Sequence, residues 1–463
     1  MNAKILLALL VAAGTAGPVS AQSLQPQGSG TSPFLGSVPT GEPTATALPL
    51  TLKDAVTRAL QHNLGLLLQE EAVNAAHGAR WRALADLLPN VSAMVGEIRQ
   101  VINLEAYGLP ADPPIIGPFN VFDARVYLSQ PLIDLRALND ARAASANERA
   151  EAHGIRSARD LVTLVAVNLY LQTVAASSRV EASRAQMETA EVLQRQAADL
   201  KSSGLVAGID VLRSQVQVQN QRQRLIVAEN EFERSKLELA RAIGLPASQP
   251  IALTDAIPYA PMPEVNLETA IARAFESRAD YLAAQEHVKA AEASNAAAHD
   301  ALLPSLHADA DYGTLGQTAA TAHPTFRIAA NVRVPIFDAG RATARRVEAN
   351  AELARRQAEL ADFKGRVEFE VRSAVLDLRA AGQRLEAAQT NVTLAGQELQ
   401  QARDRFAAGV ASNIEVSQAQ DAVASASENY ISALYAHNLA KAMLARAVGT
   451  AEESVMTFLG GSK

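Results

Sequence analysis

The chain has 463 residues, 42 Lys and Arg against 49 Asp and Glu, a net charge of −7 and no cysteine. Without thiols there are no disulfides, thiolate nucleophiles, Cys-held zinc sites or iron–sulfur clusters, and the negative balance argues against a nucleic-acid binder, which carries a basic patch. Aromatics are 4% and hydrophobic residues 48%. The apolar content is therefore mostly Ala, Leu and Val, which suits long, closely packed helices more than an aromatic-filled core.

Residues 1–21 read as a secretory signal, with Lys4 as the positive start, Ile5 to Ala13 as the apolar stretch and Val19-Ser20-Ala21 as the cleavage site. The stretch is shorter than the roughly 20 residues that a spanning helix needs. No apolar run of about 18 residues follows, so no spanning helix is expected. An exported chain of this kind enters a membrane only as strands. Residues 22–49, rich in Ser, Gly, Pro, Thr and Gln, are expected to form a flexible arm.

From residue 50 the chain repeats itself. Leu52 to Pro89 aligns without gaps on Leu267 to Pro304, matching Ala55 with Ala270, Arg58 with Arg273 and Leu87-Leu88-Pro89 with Leu302-Leu303-Pro304. Gly204 to Gly244 aligns on Gly409 to Gly449, matching Gln215 with Gln420 and Lys236 with Lys441. Between these blocks, Pro131 and Asp134 correspond to Pro335 and Asp338. The repeats are 50–245 and 265–449, joined by a Pro-rich linker at 246–264 and followed by a tail at 450–463.

Each repeat reads as helix, two strands, very long helix, turn, helix. The first helix is predicted at about Leu50–Leu88, stopping before Pro89 because a residue preceding proline disfavours helix. Residues 134–203 hold no Pro and only Gly154, which predicts a helix of roughly 105 Å; 338–408 is its twin. Both break at a glycine, Gly204 or Gly409, and return helices follow at about 209–243 and 414–448. Each repeat thus carries a helical hairpin, with its tip at 204–210 or 409–415.

The strand pairs are expected at about 90–131 and 305–335. Phe122, Ala124, Val126 and Leu128 alternate with Asp123, Arg125, Tyr127 and Ser129. Phe326, Ile328, Ala330, Val332 and Val334 oppose Arg327, Asn331 and Arg333, and Leu306, Ala308, Ala310 and Tyr312 oppose His307, Asp309 and Asp311. The first strand is less regular, since Glu97 falls in step with Val91, Ala93 and Val95. Such alternation is the pattern of a transmembrane barrel strand, apolar toward lipid and polar toward the lumen; a soluble half-buried sheet is the alternative. Four strands cannot close, because the smallest barrels need about eight. Other copies must complete the sheet and remove its open edges.

No nucleotide-binding, hydrolase or metalloprotease motif is present, no His pair has i, i+4 spacing, and no enzyme activity or cofactor is expected. His307, Asp309 and Asp311 share one strand face that could bind a cation, but a wet, polar lumen accounts for them better. Trp81 reads as a packing residue, and Arg345-Arg346 and Arg355-Arg356 read as solvated helix faces.

With its duplicated layout and the tips Gly204-Leu205-Val206-Ala207-Gly208-Ile209-Asp210 and Gly409-Val410-Ala411-Ser412-Asn413-Ile414-Glu415, the chain resembles the TolC-type outer-membrane efflux proteins (outer membrane factors) over about residues 50–450. The resemblance implies a fold of mixed all-α plus β-barrel class, with four strands per chain. A homotrimer would form one 12-stranded barrel in outer-membrane lipid, continued by a long α-helical barrel across the periplasm. It implies a passive exit duct for small molecules or proteins, in efflux or type I secretion, fed by an inner-membrane pump of RND, ABC or MFS type through a periplasmic adaptor. The adaptor contacts it implies are Gly204, Leu205, Val206, Ala207 and Gly409. Where the family places two acidic residues at the pore constriction, this chain has Glu415 and Gln418, with Asp210 nearby. Where the family's closed state uses Tyr, Arg and Asp, it has Phe406, Ala411 and Asp210, so only the Asp is kept. A soluble periplasmic coiled-coil scaffold or adaptor is the alternative function.

Overall fold

The computed structural model describes residues 32–110, 112–204, 206–255 and 265–459. The expected signal at 1–21, the first part of the arm and residues 256–264 of the linker lie outside the described residues.

The expected single helix at Leu50–Leu88 is two helices, α1 (Leu52–His62) and α2 (Leu64–Ala85). Thr51 and Asp54 form a capping box that starts α1. Asn63 ends it: its backbone is extended, its Oδ1 accepts the N–H groups of Gly65 and Leu66, and its Nδ2 donates to the Phe34 carbonyl at 2.7 Å. A short polar side chain that offers backbone groups another partner can restart a helix in this way. The second repeat breaks at the matching residue, Arg278, which separates α5 (Leu267–Ser277) from α6 (Ala279–Asp300).

Four strands follow the two helix pairs: β2 (Asn90–Asn103), β3 (Ile115–Ile133), β5 (Ser305–Gly316) and β6 (His323–Arg333). They pair antiparallel in the order β2-β3-β5-β6. The register keeps the two chemistries on separate faces. Val91, Leu128, Ala310 and Ile328 form one row across the sheet; Ser92, Tyr127, Asp311 and Arg327 form the next, on the opposite face. Strands β2 and β6 each have one neighbour, so each leaves an unpaired edge in the single chain.

Helices α3 (Leu135–Ser202) and α7 (Arg341–Ala407) have 68 and 67 residues, about 100 Å each. The matched aspartates begin them: Asp134 accepts from the Ala137 N–H at 2.9 Å and Asp338 from the Ala342 N–H at 2.6 Å. Helices α4 (Gly208–Ala242) and α8 (Asn413–Val448) run back along them. Each return helix stops at a left-handed glycine, Gly244 (φ 75°) or Gly449 (φ 78°). A Cβ at these glycines would lie 2.5 Å from the His62 Cβ and 2.7 Å from the Arg278 Cα. Each hairpin therefore closes against the break between the two short helices of its own repeat.

Three expectations need correction. First, α3 holds an 18-residue window apolar enough, by length and composition, to cross a membrane, and 56% of that window is buried against the rest of the chain. Val162, Ala166, Val167, Tyr170, Leu171 and Val174 form a core there with Leu52, Ala55, Ala59 and Leu239. Polar residues such as Thr163 interrupt the window, so the sequence shows no unbroken run. Second, residues 33–50 are not a loose arm. Phe34 packs on this core, Val38 N–H donates to the His62 carbonyl, and β1 (Leu48–Leu50) pairs in parallel with β4 (Ile251–Leu253) of the linker. Third, the tail at 450–463 contains a docked helix, α9 (Ala451–Phe458), which buries Ala451, Val455 and Leu459.

Asp160 of α3 holds the start of α9 by accepting the Glu452 N–H at 3.0 Å, one of the donors that a helix start leaves unpaired. Asp160 is 7% exposed, and burial pushes its carboxyl above the ordinary range. A raised folded-state pKa gives stability that is full below the unfolded value and lost as pH rises through the folded one. At neutral pH, Asp160→Asn keeps an acceptor without the buried charge, so hydrogen exchange should find α9 protected as well as in the wild type or better. Asp160→Ala should lower its opening free energy by about 1 kcal/mol.

Candidate functional site

The two hairpin tips lie side by side. Gly204 (φ 72°) and Gly409 (φ 71°) take the left-handed turn that ends α3 and α7, a conformation other residues adopt only under strain. Both are exposed, as is Ala207, the residue before α4. Val206 is half-buried and Leu205 lies outside the described residues. A small core just above ties the tips together: Leu193 and Ala197 of α3, Ala402 and Phe406 of α7, Val416 and Ala419 of α8. Phe406, placed by the resemblance at the Tyr of the closed-state lock, is 2% exposed and belongs to this core. It has no hydroxyl and faces inward, so it cannot bridge to a neighbouring hairpin as a phenol would. Ala411 is half-buried.

Glu415 and Gln418 are exposed on one face of α8, while Val416 and Ala419 point into the core. The spacing of three residues puts them one turn apart. The Glu415 carboxylate lies 3.5 Å from the Arg405 guanidinium across the turn at Gly409. The Asp210 carboxylate lies 3.4 Å from Arg213, and the Asp210 carbonyl accepts from the buried Asn413 Nδ2 at 3.0 Å. Asn413 and Arg405 were not among the expected site residues. The only sequence sign of Arg405 is an opposite charge on the far side of the glycine turn. Asn413 shows its role only once two residues 203 positions apart are neighbours.

At the other end, the polar sheet face is cross-braced. Arg125 holds Asp311, which is 6% exposed, and donates to Thr325 at 3.0 Å; Arg327 approaches Asp311 from the other side at 3.0 Å. Asp309 accepts from Ser129 at 2.7 Å and from Asn331 at 2.6 Å, and His307 bonds to Ser305 at 3.1 Å. These bonds commit the Asp309 and Asp311 carboxylates to protein donors, in keeping with the polar face preferred there over a cation site. Among the described residues no group of three or more His, Asp or Glu is set to hold a metal. The apolar face is bare in the single chain: Val95, Phe326, Ile328 and Val332 are largely exposed. Trp81 is exposed in the single chain, where it donates to His77 at 2.8 Å.

A sheet with one oily face, one cross-braced polar face and two unpaired edges, standing on 100 Å helices, defines a subunit of an outer-membrane channel. Residues 270–450 match the family described as outer membrane efflux protein. A pyoverdine export outer membrane protein, OpmQ of Pseudomonas aeruginosa, is 26% identical over 327 residues, which are 68% of this chain and 66% of that protein. The fold matches a membrane protein from Pseudomonas aeruginosa with a TM-score of 0.77 at 20% identity, over 89% of this chain and 100% of that one. It matches the CmeC outer membrane channel of Campylobacter jejuni with a TM-score of 0.77 at 17% identity, over 90% and 91%. The second repeat thus carries the match to the outer membrane efflux protein family, and the fold as a whole is that of solved outer-membrane channels.

Proposed function

We propose that three copies close their sheets into one 12-stranded outer-membrane barrel, and that the hairpins continue it as a hollow helical duct across the periplasm. The observation that carries this reading is the four-stranded sheet whose edges, β2 and β6, are both open and whose two faces differ in polarity. An open edge is a template for pairing with another chain, and the oily face belongs in lipid. The duct performs no chemistry. An inner-membrane pump of RND, ABC or MFS type delivers substrate, and a periplasmic adaptor engages the tips at Gly204, Leu205, Val206, Ala207 and Gly409. The relative's name gives pyoverdine export, which makes pyoverdine the first substrate to try.

Glu415 and Gln418 form the constriction at the periplasmic mouth, with Asp210 beside them. Three Glu415 carboxylates around one axis favour cations, and Arg405 tempers them. The test is conductance in planar bilayers of the detergent-extracted trimer. Glu415→Gln removes three negative charges and leaves Arg405 unpaired, so cation preference should fall and block by multivalent cations should weaken. Unchanged conductance and block would take Glu415 out of the constriction. A soluble monomer on fractionation would end the duct reading itself.

A further inference from the structure

A cavity of about 180 Å³ lies between the two hairpins, above the core around Phe406. Its walls come from four helices: Gln186 of α3, Gln221 of α4, Leu399 of α7, and Gln420 and Ser427 of α8. No charged side chain lines it. Leu399 also packs on the tip core, so the cavity adjoins that core directly. Gln221 is 1% exposed, and among the described residues its Oε1 has no hydrogen-bond partner. An unmet buried carbonyl costs about 1–3 kcal/mol. The last torsion of a glutamine is soft, so the amide can turn its oxygen into the cavity and meet a donor there. Gln420 is buried in this wall, whereas its repeat counterpart Gln215 is exposed. The cavity is thus not a by-product of the duplication.

We propose that this cavity is a binding site for a small uncharged molecule with a flat apolar body and an N–H or O–H donor, such as an aromatic primary amide. The size fits one aromatic ring, at about 180 Å³, and the pocket opens to solvent on the side of the exposed Ala185. Three glutamine side chains and a serine hydroxyl supply donors and acceptors, while Leu399 and the neighbouring alanines supply an apolar side. A charged guest would lose its hydration with no opposite charge to meet it. Because the walls belong to both hairpins, an occupant touches both and resists their separation.

The probe is benzamide, with benzoate and benzamidinium as charged counterparts, followed by saturation-transfer NMR on the intact purified protein in detergent. Benzamide should bind at millimolar concentration, and the two ions should not. Gln221→Leu should weaken benzamide about tenfold, the loss of one good hydrogen bond. Ala185→Leu, a change at an exposed wall position, should weaken it by filling the space. Absence of benzamide binding to the wild type, equal binding to both variants, or equal binding of the ions would overturn the assignment.

Discussion

Ile328→Arg is expected to remove the protein from the outer membrane. Ile328 is in the middle of β6, 79% exposed in the single chain, in a row with Val91, Leu128 and Ala310. An arginine on the lipid face near the bilayer midplane costs about 2–4 kcal/mol. Three copies in one barrel bring that to about 6–12 kcal/mol per assembly, enough to prevent it. The neighbouring change, Ala329→Arg, puts the same charge on the polar face opposite Asp309 and should be tolerated. The readout is the amount of heat-modifiable trimer in outer-membrane fractions. The reading fails if Ala329→Arg is the worse of the two, or if both leave trimer at wild-type amounts.

The second large effect is expected at Arg278. This guanidinium is 3% exposed, lies 2.8 Å from Asp280 and 2.5 Å from Glu370, and stands where α5 gives way to α6. Arg446 reaches Asp280 at 3.4 Å. Removing one partner of a buried pair leaves an uncompensated charge, so Arg278→Ala should cost about 3–5 kcal/mol, measured as the opening free energy of this junction by hydrogen exchange. Burial pushes the Asp280 carboxyl up, but the Arg278 hydrogen bonds and charge outweigh it and hold the group below the ordinary range. A depressed folded-state pKa gives stability that is present above the unfolded value of 3.8 and lost as pH falls through the folded one. In Arg278→Ala this acid-sensitive contribution should shrink, since only Arg446 and the Tyr281 N–H then still hold the Asp280 carboxylate. Lysine should restore only part of the loss, because an ammonium lacks the fork that serves two carboxylates at once.

The parts of the fold that were legible in the sequence are those set by local signals. The long helices are visible because proline is absent over 134–203 and 338–408, and the first of these stretches holds only Gly154. Their turns are visible because Gly204 and Gly409 hold left-handed backbone, and the strands because a pleat gives a period of two. The break at Asn63 was not legible. Asn63 is a good N-cap by type, but Arg278 is not, and the Asn63 side chain is also held by the Phe34 carbonyl, which arrives from elsewhere in the chain. The docking of residues 33–50 was hidden for a related reason. Ser, Thr and Pro carry no periodic pattern, and their partners are at a distance: Thr44 N–H bonds to the Gln249 side chain 205 positions away. At the tips, the positions of Glu415 and Gln418 followed from alignment with a family pattern, but the contacts that hold them did not. The Asn413 bond to Asp210 and the inward turn of Phe406 arise only when both hairpins are folded against each other.

The pairing of β3 with β5 sets the boundary between the two halves of the chain in the middle of its sheet. A closed ring of such sheets alternates two kinds of joint. One kind is tethered by the polypeptide, and its partners can never drift apart. The other, where β6 of one copy meets β2 of the next, relies on hydrogen bonds and side-chain contact alone and obeys mass action. Dilution in a harsh surfactant should therefore cleave the ring only at the untethered joints, releasing four-stranded units that remain whole.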